Sequence, residues 1–283
     1  MMIRSTLQSV LRVSSTSTTS NQRCLTSLTV LQSPSSSFSY CYSTSSFNTT
    51  TTEEKKKRNV LPTNLFQKVL LGVGSSLIAM YNPGRTDMVA ALGEVSGGCV
   101  LPHLKTKMMN DSDGRWLLEH KPRIRIETLP EQLSSLAPDT FGGAYYKFLT
   151  DNGFSPDDRA EVRMVEDDDE AYVLQRYREV HDFWHVLADI PPNVPGELAI
   201  KWLEMVQTGQ PMCALSALVG PLRLPFQQQR QLIQHTAPWA VRCGRNSKFL
   251  LNVIYENHWN DNLIELRKKL NFEPYSGPTI IDK

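Results

Sequence analysis

Acidic residues are absent from the first 52 residues of this 283-residue chain. The same stretch holds three arginines and 26 Ser or Thr residues, and it lacks the continuous apolar core of a secretory signal. This composition is typical of a mitochondrial transit peptide, although a disordered polar tail without targeting function would share it. We expect residues 1–58 to be a disordered transit peptide and linker, cut at a position that the sequence does not mark.

Long apolar runs are absent as well. Residues 69–81 form an uncharged and largely apolar segment, but its 13 residues are fewer than the roughly 20 that a membrane-spanning helix needs. The sequence therefore predicts no segment that crosses a bilayer. Two interpretations of this segment stay open, namely a helix buried in the core and a helix lying in a membrane interface.

Paired cysteines and an excess of basic residues are also lacking. Five cysteines occur without a CxxC spacing, and two of them precede residue 58. Cys99, Cys213 and Cys243 remain, an odd number that favours reduced, buried thiols over a disulfide framework. Residues 59–283 carry a net charge near minus four, which offers no basic face for nucleic acid. Their number suits one domain better than two.

Strand-like alternation is rare in the chain. Residues 123–128 alternate, but an extended connector explains them as well as a short strand does. Apolar residues at helical spacing dominate elsewhere. Helices are predicted near residues 86–92, 101–109, 129–136, 144–149 and 225–242, with a long final helix at 247–270. Residues 111–114 and the pair Gly142 and Gly143 are assigned to turns and loops. The predicted fold class is mainly α, a single-domain helical bundle-like fold with little or no sheet.

One predicted helix carries the most informative motif. Residues 167–170 supply a cap and first-turn negative charge, and an apolar stripe from Val173 to Leu187 predicts a helix with one buried side. Pro191 and Pro192 end this helix. Pro195 lies near the first position of a second helix. Because the connecting turn is short, we expect the two helices to lie side by side.

These two helices bring together four metal-ligand side chains. His181 and His185, four residues apart, share one helix face, and Asp182 lies beside them. Glu197, in the second helix, can fold back towards the histidines. Imidazole and carboxylate ligands together suit Zn²⁺ first, with Mn²⁺ or Fe²⁺ less favoured. In the alternative interpretation, the histidines bind no ion and are satisfied by Asp182 and Arg178.

The four-ligand set leaves its own alternatives open. Four protein ligands resemble a closed structural zinc site, whereas catalysis needs an open position. Either the coordination number rises when substrate binds, or Asp182 orients a histidine instead of binding the ion. Arg178 and Glu204 could complete the surroundings of the site, but both fit surface salt-bridge partners better.

The motif and its surroundings resemble a known family. His-Asp-x-x-His-x11-Glu, preceded by residues 171–180, is similar to the signature of the mitochondrial ubiquinone (coenzyme Q) biosynthesis C1-decarboxylase family. Further matching positions are Tyr81-Asn82-Pro83, Arg85, Asp87-Met88-Val89-Ala90, Val206-Gln207-Thr208-Gly209, Pro211-Met212-Cys213, Gly220-Pro221 and Pro238-Trp239-Ala240. The resemblance covers about residues 65–270, which is nearly all of the chain after its leader.

The resemblance implies an activity, a site and a location. The activity is metal-dependent C1 decarboxylation, with or without hydroxylation at the same carbon, of a 4-hydroxy-3-methoxy-5-polyprenylbenzoate intermediate. His181, Asp182, His185 and Glu197 would be the zinc ligands and would act catalytically through the metal. Residues 59–283 would form a helical metal- and prenyl-lipid-binding domain, peripheral on the matrix side of the mitochondrial inner membrane. Its partners would be other ubiquinone biosynthesis enzymes in a multi-subunit complex, and homo-oligomerisation stays open.

Two other functions compete with this interpretation. The first is a non-catalytic lipid-binding scaffold that organises the ubiquinone biosynthesis enzymes. The second is a His-Asp metal phosphohydrolase, which would need a further upstream histidine, yet none lies between His120 and His181. The apolar run at residues 212–219 could line a tunnel for an isoprenoid tail, but core packing is the favoured interpretation.

Overall fold

A computed structural model describes residues 60–81 and 86–280, all of which lie in the unit Lys55–Lys283. The transit peptide predicted at residues 1–58 and the matching residue Arg85 lie outside these ranges. Within them, helices dominate and the one β pairing is an isolated bridge between Thr140 and Asn262. The predicted mainly α fold is confirmed.

The α-helices are joined by short turns in most places and by longer connectors before α5, α6 and α11. In chain order they are α1 Leu65–Tyr81, α2 Thr86–Gly97, α3 Leu101–Met109, α4 Ser112–His120, α5 Phe141–Asn152, α6 Asp168–Ala188, α7 Val194–Thr208, α8 Pro211–Val219, α9 Phe226–Gln231, α10 Ala237–Asn246 and α11 Leu263–Lys269. A π-helical turn, Leu232–Thr236, joins α9 to α10.

Helix α6 is the centre of the core. The Asp167 carboxylate accepts the backbone N–H groups of Asp169 and Glu170 and so caps its N-terminus. The helix ends at Asp189, whose φ of 58° is left-handed. Because 17 of its 21 residues are buried, it is enclosed on all sides, whereas the apolar stripe predicted one buried side. Helices α3, α4 and α5 pack against it.

Buried polar residues of α6 explain this difference from the prediction. The Arg176 guanidinium donates to both carboxylate oxygens of Glu256, at 2.5 and 2.9 Å. One turn further along α6, the Glu179 carboxylate accepts from Arg123 at 2.7 Å. Since a buried charge is tolerated only when it is paired and hydrogen-bonded, these partners allow the polar side of α6 to be covered.

The turn between α6 and α7 brings the start of α7 very close to the end of α6. Asn193 caps α7 by accepting the Gly196 N–H at 2.9 Å, and Pro195 lies in the first turn. A Cβ atom at Gly196 would overlap the Pro191 carbonyl oxygen. Only glycine therefore lets the start of α7 approach the end of α6 so closely. The second helix predicted from Pro195 is confirmed as α7.

The long final helix predicted at residues 247–270 is wrong. This part of the chain forms two 3₁₀ turns, Leu250–Asn252 and Tyr255–Asn257, before α11 begins at its cap Asn262. The Gln207 side chain accepts the Leu250 N–H at 2.9 Å and so holds the backbone of this segment against α7. The apolar spacing reflects burial against the core instead, since Leu250 and Tyr255 have no exposed surface.

Turn predictions in the first half also need correction. Residues 111–114 start α4, because Asp111 accepts the Asp113 and Gly114 N–H groups as a cap. Gly142 and Gly143 lie in the first turn of α5, where a Cβ atom at Gly143 would overlap the Ala137 carbonyl oxygen. Here glycine marks close backbone packing and not a loop.

Of two short segments, one takes the connector form that the sequence left open, and the other is less regular than predicted. Residues 123–128 form a connector that ends in the 3₁₀ turn Ile126–Thr128 and are not a strand. The helix predicted at residues 129–136 is only the 3₁₀ turn Leu133–Ser135. Leu129 and Leu136, which lie on either side of this turn, have extended backbone angles, so the turn does not continue into a helix.

Helix α1 exposes an apolar face, which does not fit a buried helix. The exposed fractions are 75% for Phe66, 57% for Val69, 63% for Leu70 and 56% for Val73. Helix α1 packs against α2, and α2 packs against α8. Along residues 60–81 and 86–280, no helix combines the length and apolar character needed to cross a membrane.

Candidate metal centre

Two imidazoles form the base of the site on consecutive turns of α6. The His181 and His185 ring centroids lie 4.9 Å apart at an interplanar angle of 78°. Both side chains are buried, with exposed fractions of 7% and 1%. The four-residue spacing thus places the rings together, as predicted from helix geometry.

Hydrogen bonds at Nδ1 fix the direction of both rings. The His185 Nδ1 atom lies 3.0 Å from the Ile190 carbonyl oxygen, and since a carbonyl can only accept, this nitrogen carries the proton. The His181 Nδ1 atom lies 2.6 Å from Glu204 Oε1. Each ring therefore directs its Nε2 atom towards the first turn of α7.

The Glu197 carboxylate meets both Nε2 atoms. Its Oε2 lies 3.3 Å from His181 Nε2, and its Oε1 lies 3.3 Å from His185 Nε2. One ligand atom from each of the three residues lies within 4.8 Å of the other two. His185 Nε2 is buried and lacks a hydrogen-bond partner. Its lone pair is therefore available to bind a cation.

The cluster is open on the carboxylate side. The Glu197 side chain keeps 38% of its exposure, whereas His185 keeps none. Three protein ligands with one accessible side are the arrangement of catalytic zinc sites, in which a fourth position takes water or substrate. If Asp182 is not a ligand, the site has three protein ligands and keeps the open position that catalysis needs.

Asp182 lies outside the three-residue cluster. Its carboxylate forms an ion pair with the guanidinium of Arg159, which follows the 3₁₀ turn Pro156–Asp158. Asp182 is buried while Arg159 is partly exposed, with side-chain exposures of 3% and 30%. The structure thus brings together three of the four predicted ligands and gives the fourth a cationic partner.

Glu204 is not the surface salt-bridge residue that the sequence favoured. It has no exposed surface, and besides His181 it accepts from Lys201 at 2.6 Å and Tyr177 at 2.7 Å. Burial acts to raise the pKa of Glu204, but Lys201 and His181 lower it to about 2. It therefore stays ionised and holds His181 in place, as outer carboxylates do in metal sites. Its seven-residue spacing from Glu197, two helical turns, was the available sequence signal.

The same charges shift the pKa of the ligands. Burial and Lys201 lower the pKa of His181, but Glu197 and Glu204 together raise it to about 9. Burial acts against ionisation of Glu197, yet His181 and His185 hold its pKa well below the ordinary value. Without an ion, His181 is therefore a cation at neutral pH, and a divalent ion would take the place of its proton.

Arg178 is a salt-bridge partner, although a buried one. Its guanidinium donates to Glu94 at 3.1 Å and to the Ala90 carbonyl oxygen at 2.7 Å, with 10% of the side chain exposed. These contacts tie α6 to α2. Arg178 is not part of the metal cluster.

The remaining sequence predictions concern the apolar run in α8 and the three cysteines. Met212, Cys213 and Ala217 are buried in the core, which agrees with the packing interpretation, whereas the isoprenoid tunnel stays a prediction. Cys213 lies 3.2 Å from the Tyr177 hydroxyl. Cys99, Cys213 and Cys243 are free thiols, but Cys99 is exposed, contrary to the prediction of buried thiols.

Comparisons with known proteins agree on one family. Residues 58–276 match the family model described as coenzyme Q (ubiquinone) biosynthesis protein Coq4. A Bos taurus protein, ubiquinone biosynthesis protein COQ4 homolog, mitochondrial, is 49% identical over 211 residues, which cover 74% of this chain and 80% of the relative. The Homo sapiens protein of the same name is 47% identical over 211 residues, with the same coverage of 74% and 80%.

A crystal structure shares the fold. It belongs to a protein from Nostoc punctiforme whose assignment to ubiquinone biosynthesis is provisional. The TM-score is 0.57 at 19% identity, with 73% of this chain and 97% of that chain covered. At this identity the likeness concerns the fold alone.

Proposed function

Because the chain belongs to the Coq4 family of coenzyme Q (ubiquinone) biosynthesis proteins, we propose that it is a mitochondrial metal-dependent C1 decarboxylase. The substrate is a 4-hydroxy-3-methoxy-5-polyprenylbenzoate intermediate, which loses its carboxyl group as CO₂. A proton takes its place, or a hydroxyl group where an oxidant serves as co-substrate. The observation that carries this proposal is the cluster of His181, His185 and Glu197 with one accessible side.

The side chains of the cluster would hold the ion. Two imidazole nitrogens and one carboxylate oxygen favour Zn²⁺, with Mn²⁺ and Fe²⁺ as less favoured occupants. When bound, such an ion supplies Lewis-acid stabilisation of negative charge on a substrate oxygen and a fixed point for orientation. Glu204 and the Ile190 carbonyl oxygen keep both Nε2 atoms directed at one place.

The surroundings of the cluster support chemistry on an aromatic ring. Loss of CO₂ pushes electron density into the ring, so the reaction benefits from fixed charges and from exclusion of water. The Phe148 ring lies 5.7 Å from the His185 ring and provides an apolar wall. Lys201 remains charged in this buried place, because Glu204 outweighs burial and raises its pKa.

The proposed location and partners are supported by family membership and by the protein surface. The relatives are named as mitochondrial, and we place this protein on the matrix side of the inner membrane as a peripheral protein. The exposed apolar face of α1 supports this placement, since such faces bury themselves in membrane interfaces. Association with other ubiquinone biosynthesis enzymes, or with further copies of the chain, is proposed from family membership.

The test is a carbon balance on purified protein. Protein of measured metal content is incubated with substrate labelled at the carboxyl carbon, and released CO₂ is counted. His185→Ala should lower bound metal and CO₂ release together, whereas His235→Ala, at an exposed position, should change neither. Unchanged substrate would favour a lipid-binding scaffold, and normal release from metal-free protein would contradict the role of the ion.

A further inference from the structure

A cationic side chain lies beside the metal cluster without a role in holding the ion. The Arg159 guanidinium is paired through Nη2 with Asp182, the residue that directly follows His181 in the motif. It also interacts electrostatically with Glu197 and Tyr145. Arg159 therefore lies against the part of α6 that carries the histidines, since its partner Asp182 is the neighbour of His181.

Arg159 uses little of its hydrogen-bonding capacity. Among the described residues, its guanidinium has one partner, the Asp182 carboxylate, and its Nε has none. The Nε of the fully buried Arg176 also lacks a partner, but its two Nη atoms make three hydrogen bonds, two to Glu256 and one to the Val253 carbonyl oxygen. Since 30% of the Arg159 side chain is exposed, an additional acceptor can reach it.

The charge balance of the site calls for an anion. The carboxylates of Asp182, Glu197 and Glu204 face the cations Arg159 and Lys201. With neutral imidazoles and a divalent ion, these groups leave one net positive charge. A single anionic ligand neutralises it, and an anion that lies between the ion and Arg159 also separates two like charges.

We propose that Arg159, held in place by Asp182, binds the carboxylate of the substrate. The inference rests on the proposed function, because that function supplies an aromatic carboxylate as the anion. A planar guanidinium matches a carboxylate in a way that a point charge does not. Asp182 then acts as a positioning residue, which accounts for its place in the motif without making it a metal ligand.

The experiment compares binding of an acid with binding of its neutral analogue. The two probes are 4-hydroxy-3-methoxy-5-farnesylbenzoic acid and the corresponding carboxamide, and their Kd values are measured by calorimetry on metal-loaded and on chelator-treated protein. Wild-type protein should prefer the acid by about tenfold or more, the usual worth of a hydrogen bond to a charged group. Arg159→Gln should lose most of this preference in chelator-treated protein, where no ion attracts the carboxylate, while keeping its affinity for the carboxamide.

Two further variants keep the test decisive. Arg242→Gln removes an exposed arginine paired with Glu273 and should retain the full preference for the acid. If Arg159→Gln is unstable because it leaves Asp182 unpaired, the double variant Arg159→Gln/Asp182→Asn removes both charges and should show the same loss.

The outcomes separate this inference from the proposed function. An unchanged preference for the acid in Arg159→Gln or in the double variant would overturn the inference, as would a wild-type protein that binds both probes equally. If the wild type prefers the acid through Arg159 but releases no CO₂, the carboxylate site stands and the decarboxylase proposal fails.

Discussion

Glu204 shows how a residue that would not touch the ion can control its binding. Its carboxylate accepts from His181 at 2.6 Å and fixes the ring so that Nε2 faces Glu197. Glu204→Gln should lower metal affinity about 10- to 100-fold, the range found for outer partners of metal-binding histidines. Competition with a chelating dye measures this change. Glu119→Gln, at an exposed position in α4, is the matched control, and equal affinities in both variants would contradict the assigned role.

The pKa of His181 predicts proton release when metal binds. In ion-free protein this pKa is about 9, against an ordinary value of 6.5, so the imidazole is protonated at pH 7.5. Binding an ion needs the neutral ring, and about one proton should leave His181 per ion bound. The number should fall towards zero as the pH rises above about 9. Calorimetry in buffers of different ionisation enthalpy counts the protons, and a value near zero at pH 7.5 would refute the charged imidazole.

Sequence spacing predicted part of this site and missed the rest for a physical reason. The separations of His181, His185 and Glu197 fix their positions on two helices. The turn between those helices is determined by residues that are neighbours in the chain, so it could be predicted. Spacing cannot tell which neighbour a carboxylate will choose. Asp182 turns to Arg159 and Glu204 turns to His181, and both partners lie more than 20 residues away in the chain. The sequence interpretation therefore did not identify the partner of either carboxylate.

At the scale of elements, the turn between α6 and α7 sets the distance from the histidines to Glu197. Gly196 directly precedes Glu197, and a Cβ atom there would overlap the Pro191 carbonyl oxygen. Gly196→Ala should push the first turn of α7 outwards and weaken metal binding about tenfold or more, a loss of about 1.4 kcal/mol, while most of the core stays intact. Elemental analysis and dye competition measure the loss.

A matched glycine substitution controls for general effects of alanine. Gly98→Ala would place its Cβ atom in open space and should leave metal binding unchanged. If Gly196→Ala binds metal as well as Gly98→Ala does, the close approach of α7 is not needed for the site.

Elements were predictable where their signals are local. Asp167 and Asn193 cap α6 and α7, and Pro195 opens the second helix, so both boundaries could be read from neighbouring residues. The segment after Ser247 was not predictable in the same way, because its backbone is held by Gln207 from a distant helix. An apolar spacing of three and four also arises when 3₁₀ turns cover a core, as Leu250 and Tyr255 do here.

At the scale of the whole molecule, the exposed apolar face of α1 faces away from the core that holds the candidate metal ligands. Helix α1 packs on α2, α2 packs on α8, and α8 packs on α7, which carries Glu197. Further exposed apolar side chains follow α8, with exposed fractions of 75% for Leu222 and 77% for Phe226. Large exposed apolar patches mark surfaces that meet a partner or a membrane. For a substrate with a water-insoluble tail, a bilayer is the partner that the proposed function requires.

Membrane contact through α1 can be tested with one charge. Residues 60–81 contain no Asp or Glu and one Lys, so nothing on this helix repels an anionic lipid surface. Leu70, 63% exposed, should lose about tenfold in vesicle affinity when it is changed to Glu, because an apolar contact is replaced by a repelled charge. Flotation with phosphatidylcholine and cardiolipin vesicles measures binding. Ile264→Glu alters an equally apolar side chain, 59% exposed on α11, and should bind like wild type. Equal binding by both variants would exclude α1 as the contact, since the same charge would then have the same effect at both places.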